Sequence, residues 1–214
     1  MSKFESAARH RIKQMGLMAV LPGDWPVDEL LEIGDALLAA PLLVMEITWH
    51  SAEAGSAIAA LRERFGAHML VGAGNISTSL SAQLSIKAGA QFISSPGFEQ
   101  SLCNQSRADD VLYLPVIQTI HEAQAAWRAG CRMIKFQAIV SGDYATIEQI
   151  RQRWPELALI PTKDVNLTNI ADYARIGAAA VSLDAILLPE RTWSQAAIIT
   201  QARKLRAAWE AASV

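Results

Sequence analysis

Two ionisable residues stand inside short apolar segments that are typical of buried β-strands. Lys135 lies within Arg132-Met133-Ile134-Lys135-Phe136-Gln137, and Glu46 lies within Leu42-Leu43-Val44-Met45-Glu46-Ile47. Burial disfavours the charged form of an amine, and a neutral amine is a nucleophile that can form a Schiff base with a ketone or aldehyde. A carboxylate facing that amine could move protons. The alternative is structural: the lysine extends to water, or the two residues form a plain buried ion pair.

Short apolar runs alternate with longer amphipathic segments along the whole chain. The runs are continuous, as expected for parallel strands covered on both faces. The intervening segments repeat apolar residues at helical spacing, for example at 28–39, 52–65, 119–129 and 143–154. The predicted strands are residues 17–21, 42–48, 68–72, 91–94, 111–117, 133–136, 157–161 and 179–183.

Glycine placement supports the same alternation. Gly66, Gly89, Gly130 and Gly177 each stand just before a predicted strand, where a left-handed glycine ends the preceding helix. Eight strands alternating with eight helices predict a compact (β/α)8 TIM barrel, with residues 1–214 as a single domain. The alternative is an open doubly wound sheet, but the sequence has neither a GxGxxG fingerprint nor a Walker lysine loop.

Composition argues against several classes of partner. The net charge is −2 and the pI about 6.1, which gives no basic surface for nucleic acid. Cys103 and Cys131 are the two cysteines, and neither belongs to a Cys/His cluster, so we expect no metal site. No apolar run approaches the ~20 residues that a membrane span needs, and the first residues do not read as a signal peptide. We therefore expect a soluble, cytoplasmic protein.

Four ordered segments carry a family resemblance. They are Met45-Glu46-Ile47-Thr48, Val71-Gly72-Ala73-Gly74 with the Ala-Gly-Ala-Gln-Phe to Ser-Pro-Gly stretch that follows, Ile134-Lys135-Phe136, and Pro161-Thr162. Over nearly its whole length the chain resembles the 2-keto-3-deoxy-6-phosphogluconate / 4-hydroxy-2-oxoglutarate aldolase family, the small class I pyruvate aldolases. The resemblance implies a homotrimeric β/α barrel that needs no cofactor. It also implies that Lys135 forms an imine with pyruvate and that Glu46 is the acid/base.

In such barrels the active site lies at the carboxyl ends of the strands. Polar residues there, together with the resemblance, give the predicted substrate-binding set: His50, Gly74, Asn75, Ser95, Pro96, Thr162, Lys163, Asp164 and Asp184. We also expect Trp25 and Trp49 to wall the mouth of the barrel, and Leu187-Leu188-Pro189 to form an interface patch.

Several of these positions depart from the family pattern. His50 replaces an arginine that grips the substrate carboxylate, and Lys163-Asp164 replaces a Gly-Gly pair whose amides bind phosphate. Leu183-Asp184-Ala185 replaces a second phosphate-binding segment. Two acids at that place would repel a phosphate dianion. We therefore predict a retained imine mechanism on a smaller, neutral or hydroxylated 2-keto compound.

Other interpretations remain open. Asp164 and Asp184 would hydrogen-bond substrate hydroxyls, or they would cap helices. An imine is also an electron sink for dehydration and decarboxylation, so another Schiff-base lyase is an alternative to an aldolase. A third possibility is a catalytically inactive binding paralogue, because fold does not fix function.

Overall fold

The computed structural model describes residues 3–51, 53–140, 142–184, 186–188 and 194–213. In these ranges, after a first helix, strands and helices alternate. The helices are α1 (Lys3–Met15), α2 (Val27–Ala39), α3 (Glu53–Phe65), α4 (Ser79–Lys87), α5 (Gln100–Ala108), α6 (Ile120–Arg128), α7 (Tyr144–Arg153), α8 (Ile170–Arg175) and α9 (Gln195–Glu210). The strands are β1 (Leu17–Pro22), β2 (Val44–Thr48), β3 (Leu70–Gly74), β4 (Phe92–Ser95), β5 (Leu112–Ile117), β6 (Met133–Gln137), β7 (Ala158–Thr162) and β8 (Val181–Leu183).

All the strand pairs are parallel, and the strands form one sheet in the order β7-β6-β5-β4-β3-β2-β1-β8. The two ends of this sheet approach each other, because Ala179 N, just before β8, donates to Leu159 O of β7 at 2.8 Å. The sheet is therefore a nearly closed β/α barrel, as predicted. The open doubly wound alternative is wrong for this chain.

Strand alternation directs the two key side chains into the barrel. Val44 of β2 and Met133 of β6 belong to the apolar cluster that fills the interior, while Met45 and Ile134 pack in the outer cluster with the helices. Because successive side chains point to opposite faces of a strand, the residue two positions beyond an inward one also points inward. Glu46 follows Val44 and Lys135 follows Met133 in this way.

Helix α1 packs against the end of the barrel interior and was not predicted. Its buried Ala8 and Ile12 share the interior cluster with Met18 and Leu70. Arg11 of the same helix donates to Ala67 O and His68 O, just before β3. These contacts fix α1 against the amino-terminal side of the strands, opposite the end where Glu46 and Lys135 lie.

Most strand bounds differ from the prediction by one or two residues. The largest shift is in β3, predicted at residues 68–72 and observed at Leu70–Gly74. Pairing with β2 begins only at Leu70, opposite Val44, and His68 N instead donates to Phe65 O at the end of α3. The predicted helix ends are confirmed, since Gly66, Gly89, Gly130 and Gly177 all have positive φ. None of the helices within the described ranges is both long and apolar enough to cross a membrane.

Candidate active site

A buried ion pair joins opposite sides of the barrel. Lys135 Nζ lies 2.8 Å from Glu46 Oε1 and 3.0 Å from Glu46 Oε2, and about 4% of each side chain is exposed. Glu46 stands between Val20 of β1 and Gly72 of β3, while Lys135 stands between Val116 and Ile160 of its neighbouring strands. Water is nearly excluded, so each charge depends on the other for its stabilisation.

The pair forms part of the wall of a cavity of about 300 Å³ at the carboxyl ends of the strands. Its lining residues are Val20, Glu46, Thr48, His50, Asn75, Ser94, Ser95, Pro96, Val116, Lys135, Gln137, Thr162, Lys163 and Asp184. The cavity therefore brings together most of the predicted site residues, which come from the ends of six strands. Among the described residues, no group of three His, Cys, Asp or Glu side chains is arranged to hold a metal ion.

Five lining residues were not in the predicted set. Thr48, Ser94 and Gln137 had a signal in the sequence, because each is a polar residue at the end of a predicted strand. Val20 and Val116 had none. They line the cavity because they are the strand neighbours of Glu46 and Lys135, so they became identifiable only once the register was known.

Ser95 is held in place by a tyrosine that the sequence did not single out. Ser95 Oγ lies 2.6 Å from the hydroxyl of Tyr113 and also bonds to Gly97 O. Tyr113 Oη in turn accepts from Glu99 N at 3.0 Å and contacts Gly97 O at 3.2 Å. Burial raises the pKa of Tyr113 to about 12, so its hydroxyl stays protonated near neutral pH. This network fixes the β4 wall of the cavity.

Two lining residues have the left-handed backbone that normally favours glycine. Asn75, after β3, has φ +58°, and Lys163, after β7, has φ +78°. A left-handed residue with a side chain costs about 1–2 kcal/mol, although Asn tolerates the conformation better than Lys. Asn75 Nδ2 also donates to Trp49 O at 3.3 Å. The chain thus keeps a turn of glycine type at both positions while placing a polar or cationic side chain at the cavity.

Of the two acids predicted to bind substrate, Asp184 is the one that lines the cavity. Its Oδ1 atom is buried and has no hydrogen-bond partner among the described residues. Burial raises the pKa of the Asp184 carboxyl above its ordinary value, an effect that the charge of Lys135 opposes and that of Glu46 reinforces. A buried oxygen without a partner is costly in a folded protein, and Asp184 carries that cost in the wall of the cavity.

Asp164 and Gly74, two members of the predicted set, do not line the cavity. The Asp164 carboxylate accepts from the Tyr173 hydroxyl at 2.8 Å and from Gly142 N at 3.2 Å. It does not cap α8, whose N-cap is Asn169, so the capping alternative is wrong for this residue. Gly74 lies under the Glu46 side chain, and a Cβ there would come within 2.8 Å of Glu46 Cδ.

Only some of the residues predicted for the mouth of the barrel and for an interface have the expected position. His50 lines the cavity with an exposed side chain, whereas Trp49 covers Gly55 of α3 and is absent from the lining. Trp25 lines a neighbouring cavity. Leu187 is fully buried in the core and so offers no surface patch, and Pro189 lies outside the described residues.

Fold and site together define a class: a parallel β/α barrel with a buried amine–carboxylate pair beneath an open cavity at the carboxyl ends of its strands. Within that class the chain belongs to the KDPG and KHG aldolase family, whose model matches residues 9–201. Its relatives are named aldolases, which makes it a member of the carbon–carbon lyases.

Two relatives illustrate the likeness in sequence. The chain is 34% identical over 149 residues to a 2-dehydro-3-deoxy-phosphogluconate aldolase of Pseudomonas aeruginosa, covering 69% of this chain and 67% of that one. It is 31% identical over 148 residues to the enzyme of the same name from Treponema pallidum, covering 69% and 70%.

Solved structures agree on the fold. The 2-keto-3-deoxy-6-phospho-gluconate aldolase of Zymomonas mobilis superposes with a TM-score of 0.84 at 21% identity, covering 96% of this chain and 98% of that one. The KDPG aldolase of Legionella pneumophila, with pyruvate captured as a covalent carbinolamine, superposes with a TM-score of 0.76 at 21% identity, covering 97% and 98%.

Proposed function

We propose that the chain is a class I aldolase that cleaves or forms a 2-keto-4-hydroxy acid, with pyruvate as the nucleophilic half. Lys135 is the Schiff-base nucleophile, and Glu46 is the acid/base. The observation that carries this proposal is the 2.8 Å contact between Lys135 Nζ and Glu46 Oε1 at the wall of the cavity. The family supports it, because its members are aldolases.

The first half of the proposed reaction is imine formation. Glu46 takes a proton from Lys135 along the existing hydrogen bond, which replaces two buried charges by two neutral groups. The free amine attacks C2 of the keto acid, and its second proton is passed through Glu46 to the former carbonyl oxygen. The resulting carbinolamine loses its hydroxyl as water, with Glu46 supplying the proton, and leaves an iminium on Lys135.

The second half breaks the carbon–carbon bond. Glu46, left ionised by the first half, takes the proton of the 4-hydroxyl, the C3–C4 bond breaks, and its electron pair flows into the iminium to give an enamine and a free aldehyde. Glu46 then returns a proton to C3, and water hydrolyses the iminium to release pyruvate. One carboxylate beside the amine can serve each of these transfers in turn, because every reacting atom lies near Nζ.

Substrate recognition differs from the family pattern at the carboxylate end. His50 supplies at most one donor and a charge only when protonated, in place of the bidentate fork of an arginine. Thr162 and the buried Ser94 add hydroxyl donors to the same lining. We infer that hydrogen bonds, more than a fixed positive charge, hold the keto-acid carboxylate.

The acceptor end of the substrate faces Asp184 and Lys163. The sequence suggested that two acids would repel a phosphate, but Asp164 is directed to Tyr173, so Asp184 alone is at the cavity. Its carboxyl lines the cavity, where it can hydrogen-bond a substrate hydroxyl. An uncharged, unphosphorylated acceptor remains the proposal, now resting on Asp184.

The test is trapping of the imine. Incubation with pyruvate and borohydride should give a reduced adduct, which peptide mass mapping should locate on Lys135. Lys163 is the competing amine in the cavity. Lys135→Met should therefore abolish the adduct, and Lys163→Met should retain it. Absence of an adduct with pyruvate and with other small 2-keto acids would remove the proposal.

Turnover distinguishes the aldolase from the other interpretations. Release of pyruvate and an aldehyde from a 4-hydroxy-2-oxo acid identifies an aldolase. Loss of water from a keto acid that forms the adduct identifies a dehydratase, and loss of carbon dioxide identifies a decarboxylase. An adduct without any turnover identifies a binding paralogue that retains the reactive lysine.

We also propose a homotrimer, as the family resemblance implies, and a cytoplasmic location. Large apolar side chains remain exposed on the single chain, among them Leu80 and Leu84 of α4 and the loop residues Ile139 and Val140. Exposed apolar groups of this size often belong to an interface. Light scattering after gel filtration should give three times the chain mass of 23.2 kDa, and a monomer mass would contradict this.

A further inference from the structure

A second cavity, of about 290 Å³, adjoins the catalytic one. Its lining consists of Val20, Leu21, Pro22, Trp25, Thr48, His50, Asp184 and Leu188. Four of these residues, Val20, Thr48, His50 and Asp184, also line the catalytic cavity. We call this space the side cavity. The shared wall means that a substrate held at Lys135 can extend into it.

Apart from the shared residues, the side cavity is apolar. Its own lining is Leu21, Pro22, Trp25 and Leu188, and Trp25 packs against the hydrophobic core. The loop that carries Trp25 is tied to strand β2, because Gly23 N donates to Thr48 O at 3.1 Å. A preformed apolar space with a few polar groups at one edge is the usual form of a site for an uncharged organic group.

Charge also favours an uncharged occupant. Asp184 belongs to the lining of the side cavity, while the Glu46 carboxylate of the adjoining cavity is neutralised by its ion pair with Lys135. The described residues contribute no Lys or Arg to the side-cavity lining. An anionic tail would therefore meet the Asp184 carboxyl without a fixed positive charge beside it, and would be disfavoured.

We propose that the side cavity binds an apolar, aromatic or branched-alkyl group at C4 of the substrate, which becomes the side chain of the aldehyde product. This inference rests on the proposed function and names its acceptor class. Asp184 lines both cavities, so the apolar group would extend past its carboxyl toward Trp25. A cavity of roughly 150 Å³ suffices for benzene, so the side cavity is large enough for a phenyl ring.

The kinetic test compares substrates that share the 4-hydroxy-2-oxo acid and differ only in the group at C4. Retro-aldol kcat/KM is measured for 4-hydroxy-2-oxo acids with a phenyl, a hydroxymethyl or a carboxylate group at C4. The phenyl compound should exceed each of the others at least tenfold. Trp25→Ala should lower the phenyl-to-hydroxymethyl ratio about tenfold, whereas Trp127→Ala, which removes an indole stacked on Arg132 of the outer surface, should preserve the ratio.

A second variant tests the side cavity even if Trp25→Ala does not fold, because it should change which substrate is preferred. Leu188→Lys places a cation in the side cavity and should raise the carboxylate-to-phenyl ratio about tenfold. Binding of benzyl alcohol, followed by ligand-observed NMR, should weaken in Trp25→Ala and not in Trp127→Ala. This last measurement needs no turnover.

The outcomes separate the two proposals. Suppose that the pyruvate adduct forms. Equal kcat/KM for all three C4 groups would then overturn the side-cavity proposal and leave the aldolase proposal intact. An unchanged phenyl-to-hydroxymethyl ratio in Trp25→Ala would do the same. No pyruvate adduct would remove the aldolase, and with it the substrate class. Benzyl alcohol binding that depends on Trp25 would then still mark the side cavity as an apolar site.

Discussion

Glu46 and Lys135 are 89 positions apart in the chain, yet their side chains meet in a two-pronged contact of 2.8 and 3.0 Å inside the barrel. Each is surrounded by strand neighbours and only slightly exposed. In such a place an ion pair gives little net stability, while a single unpaired charge is costly. The pair should therefore affect the free energy of unfolding in addition to its proposed role in catalysis.

Removal of one partner should destabilise the fold more than removal of both. Lys135→Met leaves a buried carboxylate without its cation and should cost about 3–5 kcal/mol in the free energy of unfolding. Adding Glu46→Leu should restore most of that loss, because two apolar side chains then fill the space. Urea unfolding of the single and double variants measures both effects.

The two single substitutions must be strongly non-additive for this account to hold. If the double variant is as unstable as the sum of the two single variants, the charges are not coupled as the geometry indicates. Lys204→Met, on helix α9, is a matched lysine-to-methionine control away from the pair and should change stability little.

Glu46→Gln should separate imine chemistry from folding. Glutamine keeps the shape of the side chain but cannot take a proton, so retro-aldol turnover should fall by about 10²–10⁴-fold. Exchange of the pyruvate methyl protons with deuterated water, followed by NMR, should slow by a similar factor.

Glu32→Gln replaces an exposed carboxylate on α2 and should leave both rates unchanged. Full methyl exchange in Glu46→Gln would assign the proton transfer to another group.

Asp184→Asn should change the pH dependence of stability. Burial raises the pKa of Asp184 in the folded chain, so below its unfolded pKa the carboxyl is neutral in both states and carries no penalty. As pH rises through the folded pKa, the wild type must ionise a buried group and loses stability. Asn cannot ionise, so the melting temperature of the variant should rise relative to that of the wild type as pH increases above about 4, the ordinary pKa of an aspartate.

Asp24→Asn is the matched control for that experiment, because Asp24 is exposed in the loop after β1. Its melting curve should follow the wild type across the pH range. A constant difference between Asp184→Asn and wild type at every pH would mean that the ionisation of Asp184 is not the cause.

Gly74→Ala should disturb the ion pair by a purely steric route. The added Cβ would lie 2.8 Å from Glu46 Cδ and 2.9 Å from Glu46 Cγ, so the carboxylate must move. A displacement of about 1 Å in a reacting group can cost about a hundredfold in rate, and we expect a loss of that order in kcat/KM.

Gly97→Ala is the matched glycine control near the cavity, since a Cβ there has nothing within 4 Å. It should retain near-wild-type kcat/KM. Equal losses in both variants would show that glycine is needed at these turns for a reason other than the position of Glu46.

The prediction of the fold from sequence succeeded where the signal was local. Continuous apolar runs between amphipathic segments gave the parallel strands, and the left-handed glycines marked the helix ends. Helix α1 was missed because it precedes the first strand and so has no place in the repeating pattern. The bounds of β3 were shifted because pairing with β2, and not apolar content, decides where that strand begins.

For the site, too, local features could be predicted from sequence and long-range contacts could not. Ser95, Thr162 and Asp184 were identifiable as polar residues at strand ends, and they do line the cavity. Asp164 has the same kind of position in the sequence, but its carboxylate bonds to Tyr173, which comes from a helix nine residues later. Strand ends can be located from sequence, while the partner that captures a side chain there depends on packing.

By itself, the sequence determined the β/α alternation, the family, and the presence of a lysine and a glutamate in apolar strands. These follow from residue type and short-range order, which the chain carries directly. Tertiary structure alone decided that Glu46 and Lys135 meet, that Asp184 and not Asp164 lines the cavity, and that Trp25 and Leu188 line a second cavity that shares residues with it. Those relations join residues far apart in the chain, and barrel closure and strand register set their distances.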